Sequence, residues 1–248
     1  MIEFAAELNG QTITLASEIV LNKSLTIRTA FPIIISGNNA TRIFSVANAE
    51  IVLEGLTLEK GAVQTDDCGD VSDLCGGAII IQSAGGVLTV KDSTLRQNAA
   101  NYGSGIFNNE GVLVVVDTTL EENVAQVAGA GIYQVGGTLT VYESVVAENS
   151  AELYGAGVYG TGAAVVISQT QLLSNTLSHT TDSLGGGMAI VSDSTLTLHE
   201  TTFTGNGAYQ VLVCISKRVC RYYPQHISLR TNYKRPPMGQ VYTTILAL

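Results

Sequence analysis

The chain has 248 residues, 46% of them hydrophobic, 6% aromatic and 13% charged, with no Trp and a formal net charge of −9. No run of 18 apolar residues occurs, which excludes a membrane-spanning helix, and the acidic balance offers no basic face for nucleic acid. Charge is unevenly placed: residues 1–206 carry all 21 acidic and six of the twelve basic side chains, a balance of −15, whereas residues 207–248 carry the other six basic residues and no acid.

The opening "MIEFAAELNG" has neither a basic n-region nor a long apolar core, so no signal peptide is visible. Short strands follow at residues 12–15, 18–21, 24–27, 32–36, 42–46 and 50–58, rich in Ile, Val, Leu and Thr and separated by Gly/Asn punctuation such as "SGNNA" (36–40).

The stretch 63–77, "VQTDDCGDVSDLCGG", is the densest acidic patch. Asp66, Asp67, Asp70 and Asp73 surround Gly69 and suit a calcium ion in charge, although the spacing is not that of an EF-hand. The plainer reading is a surface insertion closed by a Cys68–Cys75 disulfide, which requires an oxidising compartment; free thiols are the other reading. Zinc is disfavoured, because no C-x-x-C knuckle or paired His is present.

From Gly76 onward one phrase recurs five times, as in "GAGIYQVGGTLTVYESVVAEN" (129–149). Its closing asparagines are Asn98, Asn123, Asn149, Asn175 and Asn206, with steps of 25, 26, 26 and 31 residues. Such a period marks a stacked repeat, and the strand-like content suits one coil of a β-solenoid. The positions three, eight and ten before each Asn are apolar throughout; in the third copy they are Val146, Val141 and Leu139. The alternation predicts inward aliphatic ladders and about three short strands per coil. The Asn column reads as a buried ladder bonded coil to coil, since an unbonded buried amide is costly; a row of binding residues is the alternative. A hydroxyl residue five before each Asn suits a turn bond to the backbone.

Two further columns are candidate surfaces. Six before each Asn stand Asp92, Asp117, Glu143, Gln169 and Glu200. They form either a cation- or sugar-binding stripe or a solvated turn that tolerates Asp. Phe107, Tyr133 and Tyr159 each follow an inward aliphatic, so they are expected to point outward in successive coils. There they would stack on sugar rings or a protein partner, or simply support one another across strands. The alternative of a lyase or hydrolase finds little support: residues 80–206 contain only Lys91 and Arg96 as basic groups, and glycoside hydrolysis wants two carboxylates facing across a bond. His179, His199 and His226 are scattered. No catalytic residue is assigned.

After "FTGNGAYQ" the pattern stops. Residues 208–248 read as a non-repeat basic tail, either a foreign or misread, non-native end without order or a true cap or basic anchor, which leaves 1–207 as the solenoid with its regular coils at 76–207.

"GGAI" (76–79) and "FTGN" (203–206), with their variants, resemble the GGAI/FxxN repeats of chlamydial polymorphic outer membrane proteins and related bacterial surface and secreted proteins. The run from Gly10 to Gly61 is similar to the region preceding such repeats in large bacterial exoproteins. The resemblance covers about residues 8–207. It implies a right-handed, single-stranded parallel β-helix of the pectate-lyase-like type, an extracellular or cell-surface location, and contact with a glycan or a cell-surface protein. It transfers no catalytic residue. A monomer without cofactor is expected, calcium being the one ion suggested.

Overall fold

Each repeat closes a coil because residues with left-handed backbone recur at its corners. Along one coil these are Glu110 (φ 61°), Asp117 (46°), Glu122 (54°) and Gly129 (61°). A single left-handed residue turns a chain sharply between extended segments, so each corner ends one strand and starts another. The strands between these corners are Ile106–Asn109, Val112–Val116, Thr119–Glu121 and Val124–Ala128. The coil therefore has four strands rather than the expected three, because the acidic column itself occupies a corner.

The computed structural model describes residues 1–63, 75–179 and 183–207, with the backbone of strands Val211–Ser216, Val219–Tyr223 and Ile227–Leu229. It is an all-β parallel solenoid of about seven turns. Corresponding strands pair in parallel at the repeat spacing: Leu113 lies beside Leu88 and Leu139, and Leu120 beside Leu95 and Val146. Three walls result. The first stacks Ile79–Ile81, Ile106–Asn109, Ile132–Val135, Val158–Thr161 and Met188–Val191. The second is bent at the acidic corner into a five-residue arm (Val112–Val116 and its equivalents) and a short arm (Thr119–Glu121 and its equivalents). The third stacks Ala99–Tyr102, Val124–Ala128, Ser150–Ala151 and Thr176–Leu177.

The long step of 31 residues leaves the register intact, with Val165 beside Leu196 and Leu172 beside Phe203. Relative to the preceding coil, the extra residues fall between Leu177 and Met188 and between Val191 and Thr195, at the corners. Corner insertions cost little because they disturb no ladder.

Inward positions form continuous aliphatic stacks. Ile106, Leu113, Val115, Leu120, Ile132, Leu139, Val141 and Val146 are each 0% exposed. Each such side chain contributes about 1.5–3 kcal/mol of burial. At the N-terminal end the stack is covered by Phe4, Leu8, Ile13 and Leu15, around a single 3-10 turn at Ala6–Leu8. Here the strand Leu25–Ser36 bulges between Arg28 and Ile33, opposite Gly55 (φ 76°). A Cβ on Gly55 would lie 2.6 Å from the carbonyl oxygen of Thr29, so the bulge requires glycine there.

At the other end, Val211–Ser216 continues the first wall in parallel beside Met188–Val191. Val219–Tyr223 then returns antiparallel, with Cys214 opposite Cys220. Ile227–Leu229 lies antiparallel to Thr201–Thr204. The segment set apart at 208–248 thus begins by adding one parallel strand and then reverses direction.

Candidate functional site

The five asparagines form the expected ladder. Asn98, Asn123, Asn149 and Asn175 are 0% exposed. Each follows a left-handed residue (Gln97, Glu122, Glu148, Ser174) that turns its side chain into the corner. The Nδ2 of Asn149 donates to Asn175 Oδ1 (2.9 Å) and to the Leu120 carbonyl (3.0 Å), and its backbone N–H donates to the same Oδ1 (3.2 Å). The pattern repeats from Asn98 to Asn175. It starts at Gly61, whose N–H donates to Asn98 Oδ1 (2.8 Å), and ends at Asn206, bonded to the Leu172 carbonyl (2.9 Å). Both Nδ2 donors of Asn98, Asn123, Asn149 and Asn175 are used internally, and the column lies inside the wall, so these four side chains have no donor left for a ligand.

The acidic column occupies the corner between the two arms. Asp92, Asp117, Glu143, Gln169 and Glu200 all have φ of 46–49° and exposed side chains. The hydroxyl residue that follows closes the corner: Thr118 Oγ1 donates to the Val116 carbonyl (2.8 Å) and Ser144 Oγ to that of Tyr142 (2.8 Å). The same hydroxyl oxygen accepts from the backbone of the coil before, as in Thr118 N–H to Ser144 Oγ (3.2 Å). The carboxylates run in line along the axis, one coil apart at about 4.8 Å. They face outward from a convex edge. Asp92 is paired with Lys91 (3.2 Å). The neighbouring Glu143 carboxylate, which favours the protonated hydroxyl, holds the exposed Tyr142 phenol above its ordinary value.

Phe107, Tyr133 and Tyr159 do point away from the main core, but they are not a free strip. Phe107 is 2% exposed. The chain leaving the third wall folds back across the outside of the first wall, so that Tyr102 and Tyr154 cover the column. Tyr133 stacks on Phe107 (centroids 5.3 Å apart) and on Tyr159 (4.7 Å), with Tyr102 edge-on at 5.1 Å. Ile80 and Cys75 complete one cluster, and Ala189 and Leu184 another. The expected outward surface is therefore a second apolar layer. Its glycine corners make the fold-back possible: a Cβ on Gly129 would sit 2.8 Å from the Cβ of Tyr133.

Asp66, Asp67, Cys68, Asp70 and Asp73 lie outside the described residues. Cys75 is disulfide-bonded and fully buried. Its carbonyl, and that of Gly76, are held by a cation that the sequence reading passed over. Arg42 is 4% exposed and donates to Cys75 O (2.8 Å), Gly76 O (3.0 Å) and Glu18 Oε2 (2.8 Å). No sequence pattern marks Arg42, since its partners are distant in the chain. Among the described residues no group of three or more His, Cys, Asp or Glu converges on a point that would hold a metal.

Lys91 and Arg96 are engaged with acids of the preceding turn. Lys91 Nζ lies 3.5 Å from Glu54, and Arg96 donates to Glu59 Oε2 at 2.6 Å. A second buried polar pair also escaped the sequence reading: Asn108 Nδ2 donates to Gln134 Oε1 (2.9 Å), both side chains being 0% exposed. Ile81, Gly160 and Ile190 share that column, so no polar periodicity advertises it.

The outer surface of the five-residue arm is different in character. Four coils present Val112, Val114, Val116, then Thr138, Thr140, Tyr142, then Ala164, Val166, Ser168, then Thr195, Thr197, His199, in register. None of these twelve carries a formal charge when His199 is neutral. Val112, Tyr142 and Val166 are 36%, 37% and 39% exposed. Acids line its border on the corner side (Asp117, Glu143, Glu200). The opposite corner carries Glu110 and Asp193.

No protein-family model, curated protein or solved structure matches the chain. No helix among the described residues is long and apolar enough to cross a membrane.

Proposed function

We propose that this chain is a non-catalytic β-solenoid segment of an exported or cell-surface protein, serving as an adhesin-like or structural scaffold. The observation that carries the reading is the uncharged Val/Thr/Tyr surface of the five-residue arm, held in register by continuous ladders and edged by carboxylates. Such a surface suits a glycan or a cell-surface protein: Tyr142 offers a ring and Glu143 an adjacent acceptor, the pairing that sugars stack on and bond to. The disulfide at Cys75 supports an oxidising compartment. The carboxylates stand in one line on a convex edge, whereas hydrolysis needs a pair flanking a bond. Lys91 and Arg96 are held by acids of a neighbouring turn.

Glycan-array and cell-surface binding by the parent protein and by Thr140→Lys/Val166→Lys test this. Binding lost in the double variant at an unchanged melting midpoint supports the reading. Turnover of a polyuronide, seen as new unsaturated or reducing ends, would replace it with the lyase or hydrolase alternative.

A further inference from the structure

Carboxylates edge the outward strip of the five-residue arm on both sides. Asp117, Glu143 and Glu200 stand at the corner that follows it, and Glu110 and Asp193 at the corner that precedes it. All five are exposed, on left-handed backbone with φ of 46–61°. The strip between them is uncharged with His199 neutral and carries Val114, Thr140, Val166 and Thr197 down its middle, in register. The neighbouring base Lys91 lies beside Val116, one coil toward the N-terminus, and is held by Asp92 and Glu54. The Tyr142 phenol feels carboxylates of three coils: Glu143 raises it first, then burial, and Asp117 and Glu200 add to it. The field over the strip is therefore negative from both borders.

Dimensions and charge narrow what can cover this face. Outward residues two apart on a strand lie about 6.6 Å apart, so the three outward columns span about 13 Å. Four coils at about 4.8 Å each give about 19 Å along the axis. The projected face is about 250 Å², against roughly 800 Å² per partner in a stable interface between folded proteins. A second copy is disfavoured by charge as well, since residues 1–206 carry a balance of −15 and would bring like to like. An anionic lipid surface meets the same repulsion. A glycan would find one ring, Tyr142, among the twelve outward side chains.

Backbone chemistry separates the two forms of peptide. Val112–Val116, Thr138–Tyr142 and Ala164–Ser168 pair with the coils on either side, so their face offers side chains and no backbone groups. An extended peptide laid on it would bury its own N–H and C=O groups unpaired. A helix bonds its backbone internally. With side chains it is about 10–12 Å across, which fits the width, and about 13 residues match the length. A helix laid on a sheet face is also a stable layer arrangement.

We infer that this strip docks a basic amphipathic helix of a partner protein, its apolar stripe over Val114, Thr140 and Val166 and its Lys or Arg flanks against the carboxylates of both borders. This rests on the reading of the face as a binding surface and names the partner's chemistry. Long basic side chains lay their apolar stems along the outer columns, at Val112 and Val116, and keep their charged heads at the acids. The Tyr142 ring offers one of them a cation–π contact.

Two labelled peptides of about 14 residues test this on the full chain. Both carry the same Leu/Ala stripe; one has Lys on both flanks, the other Glu. Fluorescence anisotropy reads affinity, and far-ultraviolet circular dichroism reads helix against the all-β background. Docking predicts binding at least about ten-fold tighter for the Lys peptide, helix gained on binding, and affinity that falls as salt rises. Thr140→Lys should weaken binding about ten-fold. The charge-matched Thr176→Lys, on the third wall, should leave it unchanged; melting curves check that both variants fold. Equal effects of the two substitutions overturn the inference, because attraction to the acidic body as a whole then accounts for binding. Equal affinity for the two peptides overturns it too. Glycan binding that Thr140→Lys abolishes, with neither peptide bound, overturns it but leaves the scaffold reading standing, whereas turnover of a polyuronide removes both.

Discussion

Asn123 and Asn149 share one oxygen: the Nδ2 and the backbone N–H of Asn123 both donate to Asn149 Oδ1, at 2.9 and 3.1 Å. Each amide thereby satisfies the coil before it, and the ladder has no spare member. The polar column inside the wall is thus as much a part of the core as the aliphatic stacks beside it.

Replacing Asn149 by Ala should therefore cost more than one bond. It leaves the Asn123 N–H and Nδ2 without their shared acceptor, and the Leu120 carbonyl without the Nδ2 that bonds it, inside a dry wall. The expected loss is about 1–3 kcal/mol for each orphaned group. Asn206→Ala, at the 7% exposed end of the row, should cost less. Urea midpoints at constant slope compare the two; an unchanged midpoint for Asn149→Ala would count against a structural ladder.

The corner residue Glu143 sits at φ 47°. Glycine adopts that backbone freely, and a β-branched residue does so poorly. Glu143→Gly is expected to lie within about 1 kcal/mol of the parent, and Glu143→Val to lose about 1–2 kcal/mol. The glycine variant also removes the neighbouring carboxylate that raises the Tyr142 phenol. The Tyr142 phenol should then ionise at lower pH, followed by ultraviolet absorbance.

Phe107 and Val112 are neighbours in sequence with opposite expectations. Phe107→Ala opens a cavity beneath Tyr102 and Tyr133 and should cost about 3–5 kcal/mol. Val112→Ala lies on the exposed arm and should stay within about 0.5 kcal/mol. Thermal melts of the two variants decide whether the aromatic column is packing or surface.

Alkaline stability should depend on Tyr159. Burial, and secondarily Tyr154, raises its phenol above the usual 10.0. A raised acid binds its proton more tightly when folded, so its stabilising contribution is whole below pH 10 and fades as pH climbs through the folded value. Tyr159→Phe should shift alkaline unfolding to higher pH while leaving the neutral midpoint nearly unchanged.

Sequence reasoning reached most of the fold and little of the surface. The period, the aliphatic columns and the Asn ladder were legible because each depends on one residue and its copies one coil away. Phe107, Tyr133 and Tyr159 misled, since alternation says only that a side chain leaves the main core, not what lies beyond it. Tyr102 and Tyr154 cover them from a wall that local pattern cannot place. Arg42 was silent for the same reason: its acceptors at Glu18, Cys75 and Gly76 lie 24 to 34 residues away. The acidic column was readable as a turn, but only the backbone shows that it splits the coil into a fourth strand.

What the sequence determined by itself is the coil: its length, its inward residues and its closing asparagine, because a repeated pattern imposes the same physics on every copy. What only the tertiary structure decided is which outward residues stay outward. Solvent exposure depends on a chain segment returning over the wall, and that return is a contact between unlike parts of the coil. The uncharged Val/Thr/Tyr surface is a consequence of where no such segment returns among the described residues.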